Sequence, residues 1–106
     1  MKLLRHGEFE KEKPGILDQD GKIRDLSEHI TDINGENISD EGLKKISSLD
    51  VSALPIVDEK TRLGACIGNV GKFLCIGLNY SDHAAESGMP VPSEPILFSK
   101  ATSAIV

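Results

Sequence analysis

The sequence predicts a mixed, β-rich α+β fold: a small N-terminal β domain over residues 1–62, followed over 63–106 by the opening strands and helix of a second domain. Three observations lead there. Short apolar pairs in the first third are separated by Pro14-Gly15 and Asp20-Gly21, the punctuation of antiparallel strands. Leu43, Ile46 and Leu49 recur at helical spacing. Residues 73–78 and 96–98 are unbroken apolar runs too short for helices, as expected of strands covered on both faces.

The elements follow in order. Leu3-Leu4, Ile16-Leu17 and Ile23 with Leu26 predict two or three short strands, and Asp20-Gly21 predicts a type I′ hairpin turn, whose two central residues both need φ > 0. Asn34-Gly35 is a further turn candidate. Ser39 followed by Asp40 and Glu41 marks a helix start, because a serine oxygen can accept from the first free N–H groups and early acids suit the helix dipole. That helix ends before Asp50, with Lys44 and Lys45 turned to solvent. Pro55 and the polar residues 58–62 look like a linker, and Gly64, Gly68 and Gly71 bend the chain repeatedly, so a domain boundary falls near 58–70. After the strand at 73–78, a short helix runs from Ser81 to about Ser87 and is closed by Gly88 and Pro90. Pro90, Pro92 and Pro95 force an extended path to the strand at 96–98. The chain stops on Ser103-Ala104-Ile105-Val106, an apolar end that suggests truncation.

Composition narrows the function. With 106 residues, 39% hydrophobic and 27% charged, the chain falls in the range of a small globular domain, with little stability to spare for a deep active site of its own. A net charge of −5 offers no basic field for nucleic acid or anionic lipid. The start carries no signal peptide and no run approaches a membrane span, so the expected location is the cytoplasm. Cys66 and Cys75 lack C-x-x-C spacing and sit among apolar neighbours, which predicts structural thiols. His6 and His29 have no clustered partners and are expected to be structural or exposed.

The chemistry-bearing cluster is Asn79-Tyr80-Ser81-Asp82-His83-Ala84-Ala85-Glu86, where a strand hands over to a helix. His83 and Glu86 stand three apart on one helix face, so Glu86 can accept from one ring nitrogen while the other faces water or substrate, the arrangement of a general base. The same spacing also suits a merely solvated face. Asn79 and Tyr80 fit a cap and a packed aromatic equally well, Asp82 a first-turn acid, and Lys100 either a clamp for a substrate carboxylate or a strand-end lysine reaching water.

The run F-L-C-I-G-L-N-Y-S-D-H-A-A-E-S-G followed by P-S-E-P-I-L-F-S-K, within residues 70–106, resembles the start of the catalytic domain of the fumarylacetoacetate hydrolase family. That family includes acylpyruvases, oxaloacetate decarboxylases and diene-dioate isomerases. More loosely, M-K-L-L-R, K-P-G-I-L-D and D-G-K-I-R-D-L-S are similar to the small N-terminal domain of bacterial members acting on 2,4-diketo-3-deoxy sugar acids. The resemblance implies a truncated catalytic fold, a homodimer when full length, and Mg²⁺ or Mn²⁺ on an E-x-E pair and a later Asp, all expected beyond Val106. It implies His83 and Glu86 as the catalytic dyad, Tyr80 and Lys100 as substrate contacts, no metal ligand in this chain, and a diketo or 2-oxo acid substrate. Asp82 matches loosely an acid that contacts metal in some members, and is not expected to do so here. On this reading the chain is an inactive fragment of a metal-dependent hydrolase that cleaves a carbon–carbon bond. An isomerase or decarboxylase on the same fold, and a non-catalytic domain associating through residues 1–60, are the alternatives.

Overall fold

The structure, a computed structural model, describes residues 1–106. The chain divides into two compact units, Met1–Val70 and Gly71–Ile105.

In the first unit, β1 (Leu3–His6), β2 (Lys13–Leu17) and β3 (Ile23–Asp25) form an antiparallel sheet in that order. Leu3 pairs with Ile16 on the face that meets the core, while Leu17 pairs with Ile23 on the opposite face, where Ile23 is also buried. Pro14 stands at the end of the β2–β3 ladder, where its carbonyl accepts the Leu26 N–H at 3.0 Å and only the reciprocal bond is lost to its missing N–H. Gly15 is needed for close approach: a Cβ there would lie 2.9 Å from both His6 Cδ2 and Leu4 Cδ1.

The β2–β3 connection is not the two-residue type I′ turn that Asp20-Gly21 suggests. Five residues, 18–22, close it, and only Gly21 has a left-handed φ, +77°. Asp18 organises the loop instead: its carboxylate accepts the N–H groups of Asp20 and Lys22, each at 2.9 Å, and its own N–H donates to the Lys22 carbonyl.

Residues 58–62 are a turn inside this unit rather than a linker between domains. Before the turn, Ile56 bridges Arg24 while Asp25 N–H donates to Pro55 O and Val57 N–H to Ile23 O, extending the outer edge of β3. After it, Leu63 bridges His6 while Gly7 N–H donates to Arg62 O and Gly64 N–H to Arg5 O, covering the outer edge of β1. Both sheet edges are thereby blunted. Gly68 N–H donates to Ile33 O at 2.7 Å, so residues 63–70, which the sequence assigns to the second domain, hydrogen-bond within the first unit.

α1 (Asp40–Ser47) starts where Ser39 Oγ accepts from Gly42 N–H at 3.1 Å, with Asp40 and Glu41 in the first turn and Lys44 and Lys45 in the last. Ile46, fully buried, is its anchor in a core of Ile16, Leu26, Ile30, Ile33 and Leu54, against which Leu3, Leu49 and Val51 pack. Leu43 is only half-buried and lies outside this cluster, and Leu49 packs from the turn beyond the helix.

In the second unit, β4 (Phe73–Gly77) and β5 (Ile96–Lys100) form an antiparallel pair, with α2 (Ser81–Glu86) in the connection and a 3₁₀ turn over Thr102–Ala104. These strands are not buried on both faces as their composition suggests. Leu74, Ile76 and Leu97 share one face and are 57%, 48% and 64% exposed, and Ile96 and Phe98 on the other are also exposed. Two strands supply one ladder, and no further strand or helix within Gly71–Ile105 covers that face. Cys66 is exposed rather than tucked among its apolar neighbours, Cys75 is half-buried, and both are free thiols. No helix is long and apolar enough to cross a membrane.

Candidate functional site

β4 ends at Gly77, and the chain then turns through Leu78 at φ +51° into Tyr80, the residue that caps α2. Tyr80 has extended backbone, φ −109° and ψ 135°, and its carbonyl accepts the Ala84 N–H at 3.1 Å. No side chain caps this helix; Asn79, one candidate, makes no hydrogen bond to it. At the far end Gly88, at φ +67°, donates its N–H to Ala85 O, and Met89 N–H reaches Ala84 O, which stops the helix before Pro90.

Ala84 is fully buried and is the one inward position of α2. The other five residues are exposed, His83 and Glu86 among them. Those two stand three apart, where helical neighbours come within reach, but no hydrogen bond or ion pair joins them in this conformation, and neither side chain is engaged by another protein group. Asp82 accepts the His83 backbone N–H at 3.1 Å and sits in the first turn, the position of a dipole-complementing acid.

Tyr80 is 72% exposed and its hydroxyl has no protein partner. Lys100 is the last residue of β5, exposed and free of any ion pair; β5 runs two residues longer than its apolar core, so this lysine lies within the strand. The register sets Lys100 opposite Phe73, whereas α2 follows Gly77, whose partner is Ile96. The four-residue offset corresponds to about 13 Å along the strand. The structure thus gathers Tyr80, His83 and Glu86 around one short helix and sets Lys100 at the opposite end of the sheet.

The first unit holds polar constellations that sequence reasoning missed. His6, expected to lack a partner, is 5% exposed with Nε2 at 3.1 Å from Asp25 Oδ2. Asp25 also accepts the N–H and the hydroxyl of Ser27. Burial pushes the Asp25 carboxyl up, but the two Ser27 hydrogen bonds and the positive charges of His6 and Lys13 outweigh it and hold the group below its ordinary value. Arg5 makes a forked pair with Asp32, Nε to Oδ1 at 2.8 Å and a second nitrogen to Oδ2 at 3.1 Å. Glu12 is bonded by Arg62 at 2.9 Å, which is the main reason its carboxyl is lowered, and the Arg62 guanidinium lies over the Phe9 ring. For His6–Asp25 the only sequence signal was the hairpin register, and no local pattern announces the Arg5–Asp32 or Glu12–Arg62 pairs.

A groove of about 860 Å³ opens in the first unit between the 18–21 turn and residues 46–52. Two of its charged groups, Asp18 and Arg24, are engaged with each other. Arg24 Nε donates to Asp18 Oδ2 at 2.9 Å and its terminal nitrogen to the carbonyls of Ser52 and Leu54, so the groove carries the marks of hairpin packing. The Lys22 backbone N–H and then Arg24 hold the Asp18 carboxyl below its usual value. Across the chain, no group of three or more His, Cys, Asp or Glu side chains converges as a metal ion requires.

No known family profile matches the chain. Proteins from Burkholderia do. One from Burkholderia lata, named "Putative hydrolase", is 59% identical over 105 residues, which is 99% of this chain and 37% of that protein. Relatives carrying the same description from Burkholderia multivorans and Burkholderia cenocepacia are 60% and 59% identical over the same share of each. The chain therefore spans little more than a third of the length of the curated relatives it matches. Along nearly its whole length, it is similar to proteins named as hydrolases.

Proposed function

We propose that this chain forms part of an enzyme that hydrolyses a carbon–carbon bond of a diketo acid, with His83 and Glu86 of α2 as its acid–base pair. One observation carries the reading: α2 is held by buried Ala84 and presents His83 and Glu86 three residues apart, both exposed and neither engaged by another protein group. The hydrolase names of the relatives and the N-Y-x-x-H-x-x-E pattern support it.

The chemistry assigned to these residues is proton transfer. With Glu86 accepting from one ring N–H of His83, the other nitrogen is fixed as a base and takes a proton from water. The water oxygen bonds to a substrate carbonyl carbon, the adjacent carbon–carbon bond breaks, and the proton returns to the departing carbanion. Tyr80, beside the dyad, is the nearer proposed substrate contact, and Lys100, an unpaired cation suited to a carboxylate, would meet the substrate only from the far end of the β4–β5 pair. The family that the motif resembles uses Mg²⁺ or Mn²⁺, which when bound would supply Lewis-acid stabilisation of negative charge. The acidic side chains of this chain do not converge into such a site, so the cation would be held by carboxylates outside these 106 residues, in a homodimer of full-length chains.

The experiment is product analysis on a polypeptide of the relatives' full length carrying this sequence. Acetylpyruvate, a simple 2,4-diketo acid, should give acetate and pyruvate in equal amounts, with one water consumed. Loss of CO₂ or simple isomerisation of the substrate would replace the hydrolytic reading.

A further inference from the structure

The backbone between β4 and α2 contains a feature that the dyad chemistry does not itself explain. Three non-glycine residues have positive φ: Glu10 at 63°, Asn69 at 53° and Leu78 at 51°. Asparagine enters this region readily, and Glu10 lies in an exposed turn. Leu78 is different. It is a bulky apolar residue, for which the left-handed conformation crowds Cβ against the following carbonyl, and it stands at the corner between the last residue of β4 and the Asn79-Tyr80 entry to α2.

Strain of this kind persists only where the surroundings impose it. Leu78 is half-buried, so its side chain has packing that offsets the backbone cost, which glycine would lack. The helix entry has no side-chain cap, and α2 is only six residues long with Ala84 as its sole buried anchor. Leu78 lies between Gly77, where β4 ends, and Tyr80, the cap of α2, so its φ of +51° is one of the few dihedral angles through which α2 leaves β4.

We propose that Leu78 is a positioning residue for the His83–Glu86 pair: its left-handed backbone fixes where α2 presents the dyad. The inference rests on the acid–base reading above. A glycine there would keep the conformation accessible but free the chain to leave it, and misplacement by about 1 Å can lower a rate by roughly 10²-fold.

The test uses the full-length polypeptide, acetylpyruvate and three variants, with thermal melts alongside. Leu78→Gly should lower kcat by about tenfold or more while KM stays within about twofold, because dyad geometry and not substrate binding is lost. Leu78→Asn, which removes the same apolar packing but favours the left-handed region, should recover kcat to within about threefold of the parent. Should Leu78→Gly melt too early to assay, Leu78→Asn is compared with Leu78→Ala; higher kcat in the asparagine variant supports the proposal. Equal losses in Asn and Gly, or in Asn and Ala, would overturn it in favour of plain packing, and so would parental kcat in all three. The two ideas separate on His83→Ala: inactivity there with fully active Leu78 variants removes only the positioning role, whereas an active His83→Ala overturns both.

Discussion

Asp25 Oδ2 lies 3.1 Å from Nε2 of the buried His6, while its other oxygen accepts two hydrogen bonds from Ser27. That carboxylate sets β3 against β1 across the central strand, and it is one of three carboxylates through which acid should loosen the N-terminal unit.

The sign follows from its lowered pKa. A carboxyl that is more acidic folded than unfolded contributes stability above its unfolded pKa and loses it as pH falls through the folded one. Asp25, Glu12 and Asp18 are all held below their ordinary values of 3.8, 4.5 and 3.8. Unfolding midpoints should therefore be flat above about pH 5 and drop below about pH 4. Asp25→Asn should shallow that drop, and at neutral pH it should cost roughly 1–3 kcal/mol by leaving the two Ser27 donors without their anionic acceptor. Urea titrations at several pH values measure both; an unaltered acid limb in the variant would show that Asp25 is not the responsible group.

Arg5 and Asp32 form a forked pair with side chains 13% and 24% exposed, and Arg5 also donates to Ala65 O. Arg5→Ala strands a largely buried carboxylate and frees the 65–68 segment, so a loss of roughly 2–4 kcal/mol is expected by chemical denaturation. A change under about 0.5 kcal/mol would place this pair with ordinary surface ion pairs.

Ile46 is fully buried and is the one residue of α1 in the core. Ile46→Ala should cost roughly 2–5 kcal/mol, whereas Leu43→Ala, at a half-buried position outside the cluster, should cost clearly less. Equal effects in thermal melts would mean that α1 packs on a different face.

Leu74, Ile76 and Leu97 form a bare apolar face on a two-stranded sheet. The 106-residue chain on its own should self-associate and bind a hydrophobic dye, and Leu74→Lys with Leu97→Thr should suppress both. Sedimentation decides it: a monomer with no dye binding in the parent chain would contradict this expectation.

The strand and helix positions were legible because local signals were strong: Ser39 with Asp40 and Glu41 fixes the start of α1, and Pro90, Pro92 and Pro95 leave only an extended path between α2 and β5. What the sequence hid depended on pairing at a distance. The Asp18 carboxylate outcompeted the Asp-Gly turn by capturing two N–H groups, and residues 55–57 and 62–64 turned an apparent linker into two edge segments. His6 found Asp25 only because register placed β3 two strands away. In the site, the spacing of His83 and Glu86 was readable from helical geometry, but Leu78 was not, since no residue pattern announces a left-handed leucine.

His83 is the proposed general base. In the full-length polypeptide, kcat for acetylpyruvate should fall roughly 10²–10⁴-fold on His83→Ala, the usual contribution of a positioned base. Glu86→Gln should act in the same direction, and the double variant should resemble the worse single one, because residues working as a unit lose most of their effect together. Turnover within about threefold of the parent in His83→Ala, across every diketo acid tried, would contradict the account and leave this face of α2 merely solvated.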